Sequence, residues 1–550
     1  MSAPPASAAP PTLSTNSSAH RNRWAILGVL CLAVFVVVLD GTIVNVTLPS
    51  LVTELGASNR DLQWIVDSYV LVFAGLLIAA GSIGDRFGRK GVMQIGLALF
   101  GGFSALAALS DSPTELIGWR AAMGVGAALL FPATLAILVN VFTAPKERAV
   151  AISVWAATAG VAVALGPVTG GFLLEHFWWG SVLMINVPVV ILAIVAVGRI
   201  VPTSRDATIH RFDPLGTVLS IAGIGVLVWA VIEGPEHGWA SGTSIAAFAL
   251  AAVLLGTFVT WERRIDHPML DVRVFSNMRF TAGSLAVTFA FFALFGFVFV
   301  VTQYFQFVRG YGTLESGVRT VPFAVFTGSM APLSQKLASR FGTKAIVVTG
   351  LVSMAAGFLI ASLSAAADTP YSIVVVAMFF MGGGLGLVQA PATESIMGSL
   401  PPAKAGVGSA VNDTARELGG TLGVAIVGSV FSSIYSARLG DALAGTPVPP
   451  EAVGIAQESV GAAKVVAEQA GVQVGPDAAN FINDAINTSF IDGWRVGSWV
   501  SVGVVLLGAL VAWRFLPARA VESTPDPVAE LTDGAETDTA DETEATLVSA

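Results

Sequence analysis

Long apolar stretches recur along this 550-residue chain, each broken by a short polar or basic segment. A helix of about 20 apolar residues crosses a hydrocarbon layer of about 30 Å. By that criterion spans fall at 24–46, 63–83, 91–110, 115–138, 148–174 and 180–200. Two more follow at 214–232 and 242–261, then six at 280–302, 319–338, 344–364, 372–396, 406–434 and 493–515. The pattern predicts an all-α polytopic membrane protein with fourteen transmembrane helices. The tenth span is the weakest, because Pro322, Pro332, Gln335 and Lys336 crowd it.

Composition excludes a soluble globular domain: AVILMFWYC make up 54% of the residues and charged residues only 12%. The formal charge of -9 belongs to one end, since residues 521–550 hold nine acids and no base and leave 28 acids against 28 bases elsewhere. Residues 516–550 are therefore expected to be a disordered acidic tail and 1–23 a disordered N-terminus, whose first nineteen residues carry no positive charge and so lack the pattern of a signal peptide. Cys31 is the sole cysteine, so no intrachain disulfide is possible.

Basic residues resist translocation and gather on the cytoplasmic side. With the N-terminus inside, 20 of the 28 Lys and Arg fall in inner segments, among them Arg86, Arg89, Lys90, Arg148, Arg205, Arg211 and Arg340. An even span count then places both termini in the cytoplasm. The long segment 438–492 faces outward and reads as a partly helical cap.

The chain repeats itself. RFGRK at 86–90 returns as RFGTK at 340–344, and PAT at 132–134 returns at 391–393, with offsets of 254 and 259 residues. The repeats divide the protein into a six-helix half at 24–200, an insertion of two helices at 201–265 and a second six-helix half at 266–515. Paired halves that rock about a midplane site move a solute across a membrane without opening a pore.

GSIGDRFGRK at 81–90 resembles the loop signature of the major facilitator superfamily. LDGTIVNVTLP at 39–49 and WIVDSY at 64–69 resemble the fourteen-helix drug:proton antiporters of the QacA and EmrB type, as do INVP at 185–188 and HPMLDVRVF at 267–275. The fifth span matches the antiporter signature through Gly166, Pro167, Gly170 and Gly171, with Ala162 where that family usually has another glycine. Arg120 followed by Gly124 matches the signature of the fourth span. The resemblance implies the major facilitator fold and export driven by the proton gradient, without a cofactor.

Ionisable groups inside a span are costly and mark functional candidates. Asp40 and Arg120 lie at compatible depths. A low-dielectric cavity favours the neutral acid and a nearby guanidinium the carboxylate, so proton and ligand can compete at Asp40. A permanent ion pair holding two helices together is the other reading. Asp67, near Trp64 and Tyr69, either attracts an organic cation or belongs to an interfacial belt.

In the thirteenth span, Asp413 and Glu417 sit one turn apart with Arg416 adjacent. Either the acids share a proton site or Arg416 closes a local ion pair. Glu394 and Glu233 are expected at membrane interfaces. Asp85 with Arg86, Arg89 and Lys90, on a loop bounded by Gly81 and Gly88, suits an inner gate, for which basic anchoring is the simpler alternative. The second half has Ser339 in place of that acid, so the lock should be stronger on one side. Gly166, Gly170 and Gly171 permit close helix approach, and Pro167 permits a bend. The phenylalanines of the ninth span, including Phe289, Phe292, Phe295, Phe297 and Phe299, are expected to contact lipid.

No Walker loop or zinc-ligand spacing is present and the five histidines are dispersed, which argues against an enzyme or a metal site. The sequence thus points to a monomeric multi-pass protein of the bacterial plasma membrane. It is expected to exchange protons for hydrophobic or cationic small molecules and to bind no nucleic acid. A dedicated exporter of one metabolite, antibiotic or lipid is the alternative, ahead of a sensor or channel.

Overall fold

The computed structural model describes residues 22–57, 59–203, 213–266, 268, 270–401, 404–458 and 460–518. Residues 1–21, 519–550, Arg205, Arg211 and His267 lie outside the described residues. Among the described residues the regular structure is helical: α1 (Arg23–Leu55), α2 (Asn59–Phe87), α3 (Arg89–Ala108), α4 (Pro113–Val141), α5 (Pro145–His176), α6 (Ser181–Ile200), α7 (Pro214–His237) and α8 (Gly242–Glu262). After a 3-10 turn at Val272–Ser276 come α9 (Met278–Gln303), α10 (Thr313–Phe341), α11 (Thr343–Ser364), α12 (Tyr371–Met397) and α13 (Ala405–Leu443). The chain ends in α14 (Pro450–Glu458), α15 (Val460–Gln473) and α16 (Pro476–Phe515).

Thirteen of these helices are long and apolar enough to cross a membrane. The expected tenth span is present as α10, whose 29 residues suffice in length but include Glu315, Arg319, Lys336 and Arg340. Its location explains its composition. Its outer face presents Val318, Val325 and Leu333, whereas its other side packs on α5 and α12 and needs no lipid-compatible surface.

Helix starts carry their local signals. Proline occupies the first turn of α4, α5, α7 and α16. Ser112, Asp213, Ser241 and Asn277 accept hydrogen bonds from backbone N–H groups of the helices they precede. The repeated RFG has a conformational cause: Gly88 (φ 105°) and Gly342 (φ 91°) form the joints between α2 and α3 and between α10 and α11, in a region that disfavours a side chain. In both repeats the arginine guanidinium lies 5.4 Å from the following phenylalanine ring, Arg86 on Phe87 and Arg340 on Phe341.

Two apolar cores result. One joins α1 to α6; the other joins α9 to α16 and extends through Ile224, Val228 and Phe258 into α7 and α8. The inserted helix α7 packs on both α2 and α13, one from each half. The halves meet along a seam where α5 lies against α10 and α12, while α2 and α4 lie against α13.

The phenylalanines of α9 differ from expectation. Phe292 and Phe297 are buried and Phe289, Phe295 and Phe299 half-buried, because Gly508, Gly420 and Gly428 of α16 and α13 leave room for their rings. Segment 438–492 is partly helical, as its pattern suggests: α13 and α16 outrun their expected spans and α14 and α15 fold between them. Tyr435 donates to the Ala456 carbonyl at 3.3 Å and Gln457 to that of Ser436 at 2.9 Å. Lys464 donates to Asn483 Oδ1 at 2.9 Å and Asn487 Oδ1 at 3.3 Å, while burial pushes its ammonium below the usual lysine range.

Candidate functional site

Three polar clusters line the seam or lie just behind it. We call its two ends the basic end, with Arg89 and Lys90, and the hairpin end, with α14 and α15.

The first cluster lies within α1–α6. Asp40 of α1 is fully buried and in direct ion-pair contact with Arg120 of α4, which is 1% exposed. Asn186, at the start of the regular part of α6, donates to Asp40 Oδ1 at 2.7 Å and to Ser104 Oγ at 3.0 Å. Arg120 Nε donates to the Ile65 carbonyl at 3.1 Å, and its guanidinium lies 4.4 Å from the ring centre of Tyr69. Both carboxylate oxygens are thus occupied by donors, as a buried charge requires. Asp67 is half-buried and two residues from Tyr69, so the two leave α2 on opposite sides.

The antiporter glycines press α5 onto its neighbours. A Cβ at Gly166 would strike Thr42, and one at Gly170 would lie 3.0 Å from Ile43, two and three residues beyond Asp40. A Cβ at Gly171 would lie 3.1 Å from Leu314 of α10, and Gly317 of α10 faces the Pro167 backbone. α5 remains unbroken at Pro167. These residues therefore join the coupling candidate on α1 to the seam between the halves.

The second cluster sits on the seam. Asp413 accepts from Ser409 and Asn412 of its own helix at 3.3 and 3.1 Å. Arg416 makes no close ion pair with Asp413 or Glu417 in this conformation, although both carboxylates act on its charge. Its guanidinium instead lies 4.6 Å from the Trp155 ring of α5 and 5.2 Å from the Phe291 ring of α9, and it donates to Thr393 at 3.3 Å. Trp155 donates to Thr134 at 3.1 Å. The two threonines of the PAT repeat thus flank one interaction that crosses the halves.

A ladder of rings connects the two arginines. Tyr69 stacks on Phe73, Phe73 meets Phe131 edge-on and Phe131 meets Trp155, with centroid separations of 5.8, 5.7 and 5.8 Å. Arg120 caps one end and Arg416 the other. Tyr69 Oη, Gln389 Oε1, Thr414 Oγ1 and Arg416 Nε are buried without a protein partner, leaving hydrogen-bonding capacity on α2, α12 and α13.

The third cluster holds the basic end together. Asp85 pairs with Arg89 at 2.6 Å and accepts from the backbone N–H groups of Gly406 and Val407, at 3.1 and 3.2 Å, where α13 begins. The helix dipole favours a carboxylate there. Gly81 allows the approach: a Cβ would lie 2.6 Å from the Gly406 carbonyl oxygen. Arg86 is exposed, and Lys90 donates to the Gly198 carbonyl at 2.9 Å. Ser339, the counterpart of Asp85, bonds only within α10, to the Lys336 carbonyl. Glu394 pairs across the seam with Arg148 at 2.8 Å. Glu233 is also buried, 3.2 Å from His237.

Sequence reasoning found the acids and arginines but missed Trp155, Asn186 and Ser104. Trp155 carried a usable signal, since a tryptophan ten residues into a span lies away from the interfacial belt.

Two six-helix halves, a pair of inserted helices and buried charges along the joint define a multi-pass membrane transporter. The family model described as Major Facilitator Superfamily matches residues 30–424. A relative from Mycolicibacterium smegmatis, the multidrug efflux pump LfrA, is 37% identical over 500 residues, covering 91% of this chain and 97% of its own. The methyl viologen resistance protein SmvA of Salmonella typhimurium is 33% identical, covering 89% and 98%. The proton:xylose symporter XylE, solved with 6-bromo-6-deoxy-D-glucose, superposes with a TM-score of 0.57 at 16% identity over 92% of this chain and 98% of its own. The chain belongs to the Major Facilitator Superfamily.

Proposed function

We propose that this protein is a proton-driven antiporter. It exports hydrophobic or cationic drugs from the cytoplasm across the bacterial plasma membrane, works as a monomer without a cofactor, and has its basic end and both termini in the cytoplasm. The observation that carries the reading is the placement of two separate buried acid–arginine clusters: Asp40 with Arg120 inside one half, and Asp413, Arg416 and Glu417 on the seam. The efflux and resistance functions of LfrA and SmvA support it.

Ionised Asp40 is held by Arg120 and Asn186. Protonation removes the charge that holds Arg120, and α1 then loses its electrostatic tie to α4. Because Gly166 and Gly170 seat α5 directly on α1 beside Asp40, a shift there is transmitted to the α5–α10 joint. The Asp85 and Arg148–Glu394 contacts close the basic end, and the protein alternates between this arrangement and one in which they part.

The test uses inverted vesicles acidified inside. Adding ethidium, methyl viologen or a neutral antibiotic should release protons, and Asp40→Asn should abolish that release while leaving the protein inserted. Wild-type transport in a well-expressed Asp40→Asn protein would remove Asp40 from the mechanism. Proton release confined to one compound would favour a dedicated exporter.

A further inference from the structure

Arg416 is a buried charge with unconventional partners among the described residues. It is 3% exposed, its Nε has no protein partner, and no carboxylate lies within ion-pair distance. A buried guanidinium is normally paired. This one is held by two aromatic faces and one hydroxyl. Trp155 belongs to one half and Phe291 and Thr393 to the other, so the guanidinium lies in the seam itself. The tryptophan is fixed on its remaining sides: its ring is fully buried, Thr134 takes its N–H and Phe131 meets it edge-on.

We infer that Trp155 and Phe291 form the docking cage for planar organic cations, and that Arg416 is its resident occupant, which a substrate displaces. A guanidinium is itself a flat, delocalised and weakly hydrated cation, the kind of group that stacks on an indole face. A planar aromatic cation presents the same charge with more ring area. The displaced side chain has the carboxylates of Asp413 and Glu417, three residues before and one after it, as counter-charges on its own helix. The cage is therefore never without a cation, and α13 does not lose its compensating charge when substrate enters. This inference rests on the export reading for its substrate class but not on proton coupling.

The alternative role of the same contacts is a cation–π staple that only holds the halves together. Binding of ethidium and methyl viologen to the purified full-length protein in detergent, with no gradient, separates the two. Arg416→Gln, which keeps the side chain's bulk and removes its charge, should bind both cations about tenfold more tightly or better and leave a neutral antibiotic unaffected. Arg416→Lys should restore affinity to near the wild-type value. Trp155→Leu should weaken cation binding at least tenfold, and Trp155→Phe by less. Melting temperatures check that each variant is folded.

A staple predicts lower thermal stability in all four variants with unchanged cation affinity, and that outcome overturns the inference. Failure of both wild type and Arg416→Gln to bind either cation overturns it too. Proton release by neutral compounds in the vesicle assay would in that case leave the antiport reading standing.

Discussion

Arg148 of α5 and Glu394 of α12 face each other across the seam at 2.8 Å, one from each half, with side chains only 20% and 15% exposed. Such a pair contributes only in the conformation that brings the two helices together. It therefore acts on the balance between conformations as well as on stability. Removing one partner leaves a largely buried charge and should cost this conformation about 1 to 2 kcal/mol, roughly a tenfold shift in population. Arg148→Ala and Glu394→Gln should each lengthen spin-label distances across the basic end. The exchange Arg148→Glu with Glu394→Arg should restore them.

Glycines on the seam provide a steric test with opposite signs at the two ends. Gly81→Ala places a methyl group 2.6 Å from the Gly406 carbonyl oxygen, a backbone atom that cannot rotate away, and should open the basic end. Gly317→Ala presses on the Pro167–Val168 backbone at 3.0 Å and should open the hairpin end. Gly84→Ala meets nothing within 4 Å and is the control. Accessibility of engineered cysteines at each end, measured with a membrane-impermeant thiol reagent, reads both effects. Equal labelling in all three variants would show that the seam does not part at these contacts.

Within the coupling cluster, Asn186 should matter in a graded way. Asn186→Ala removes a 2.7 Å hydrogen bond to Asp40 but leaves Arg120 in place, and should cost about 1.5 to 3 kcal/mol of stabilisation of the ionised acid. Substrate-induced proton release should persist at a reduced rate, because the carboxylate has lost one of its donors. Asp40→Asn should show no release at any pH. A wild-type rate of release in Asn186→Ala would place the proton elsewhere.

The hairpin has its own anchor. Lys464→Ala removes the donor shared by Asn483 and Asn487 and should destabilise the docking of α15 on α16 by about 1 kcal/mol. Faster amide exchange confined to 450–473 would show this. Since burial disfavours the Lys464 ammonium, docking of α15 on α16 should gain stability as pH rises toward the ordinary lysine range.

Apolar run length, basic-residue asymmetry and the repeated RFG were sufficient to read the helix order from sequence, because each reflects a local constraint of the bilayer or the backbone. The depths of Asp40 and Arg120 were enough to predict that they could meet. The aromatic partners of Arg416 were not legible, since helical spacing says which residues share a face but not what a facing helix supplies. Trp155 and Phe291, both more than a hundred residues earlier in the chain, supply the competing surface. The partner of Glu394 was hidden for the same reason. Its position near a helix end was legible, whereas Arg148 became its partner only when the halves closed.

Helix α7 leans on α2 and α13 together, and Gly75 meets Gly225 there without an intervening side chain. The joint between the halves is therefore roofed on that flank and uncovered on the other, where Val161 of α5 and Val325 of α10 are exposed. A compound dissolved in the bilayer meets two unequal doors in a molecule built from two similar halves. The insertion turns a nearly symmetrical body into one with a front and a back.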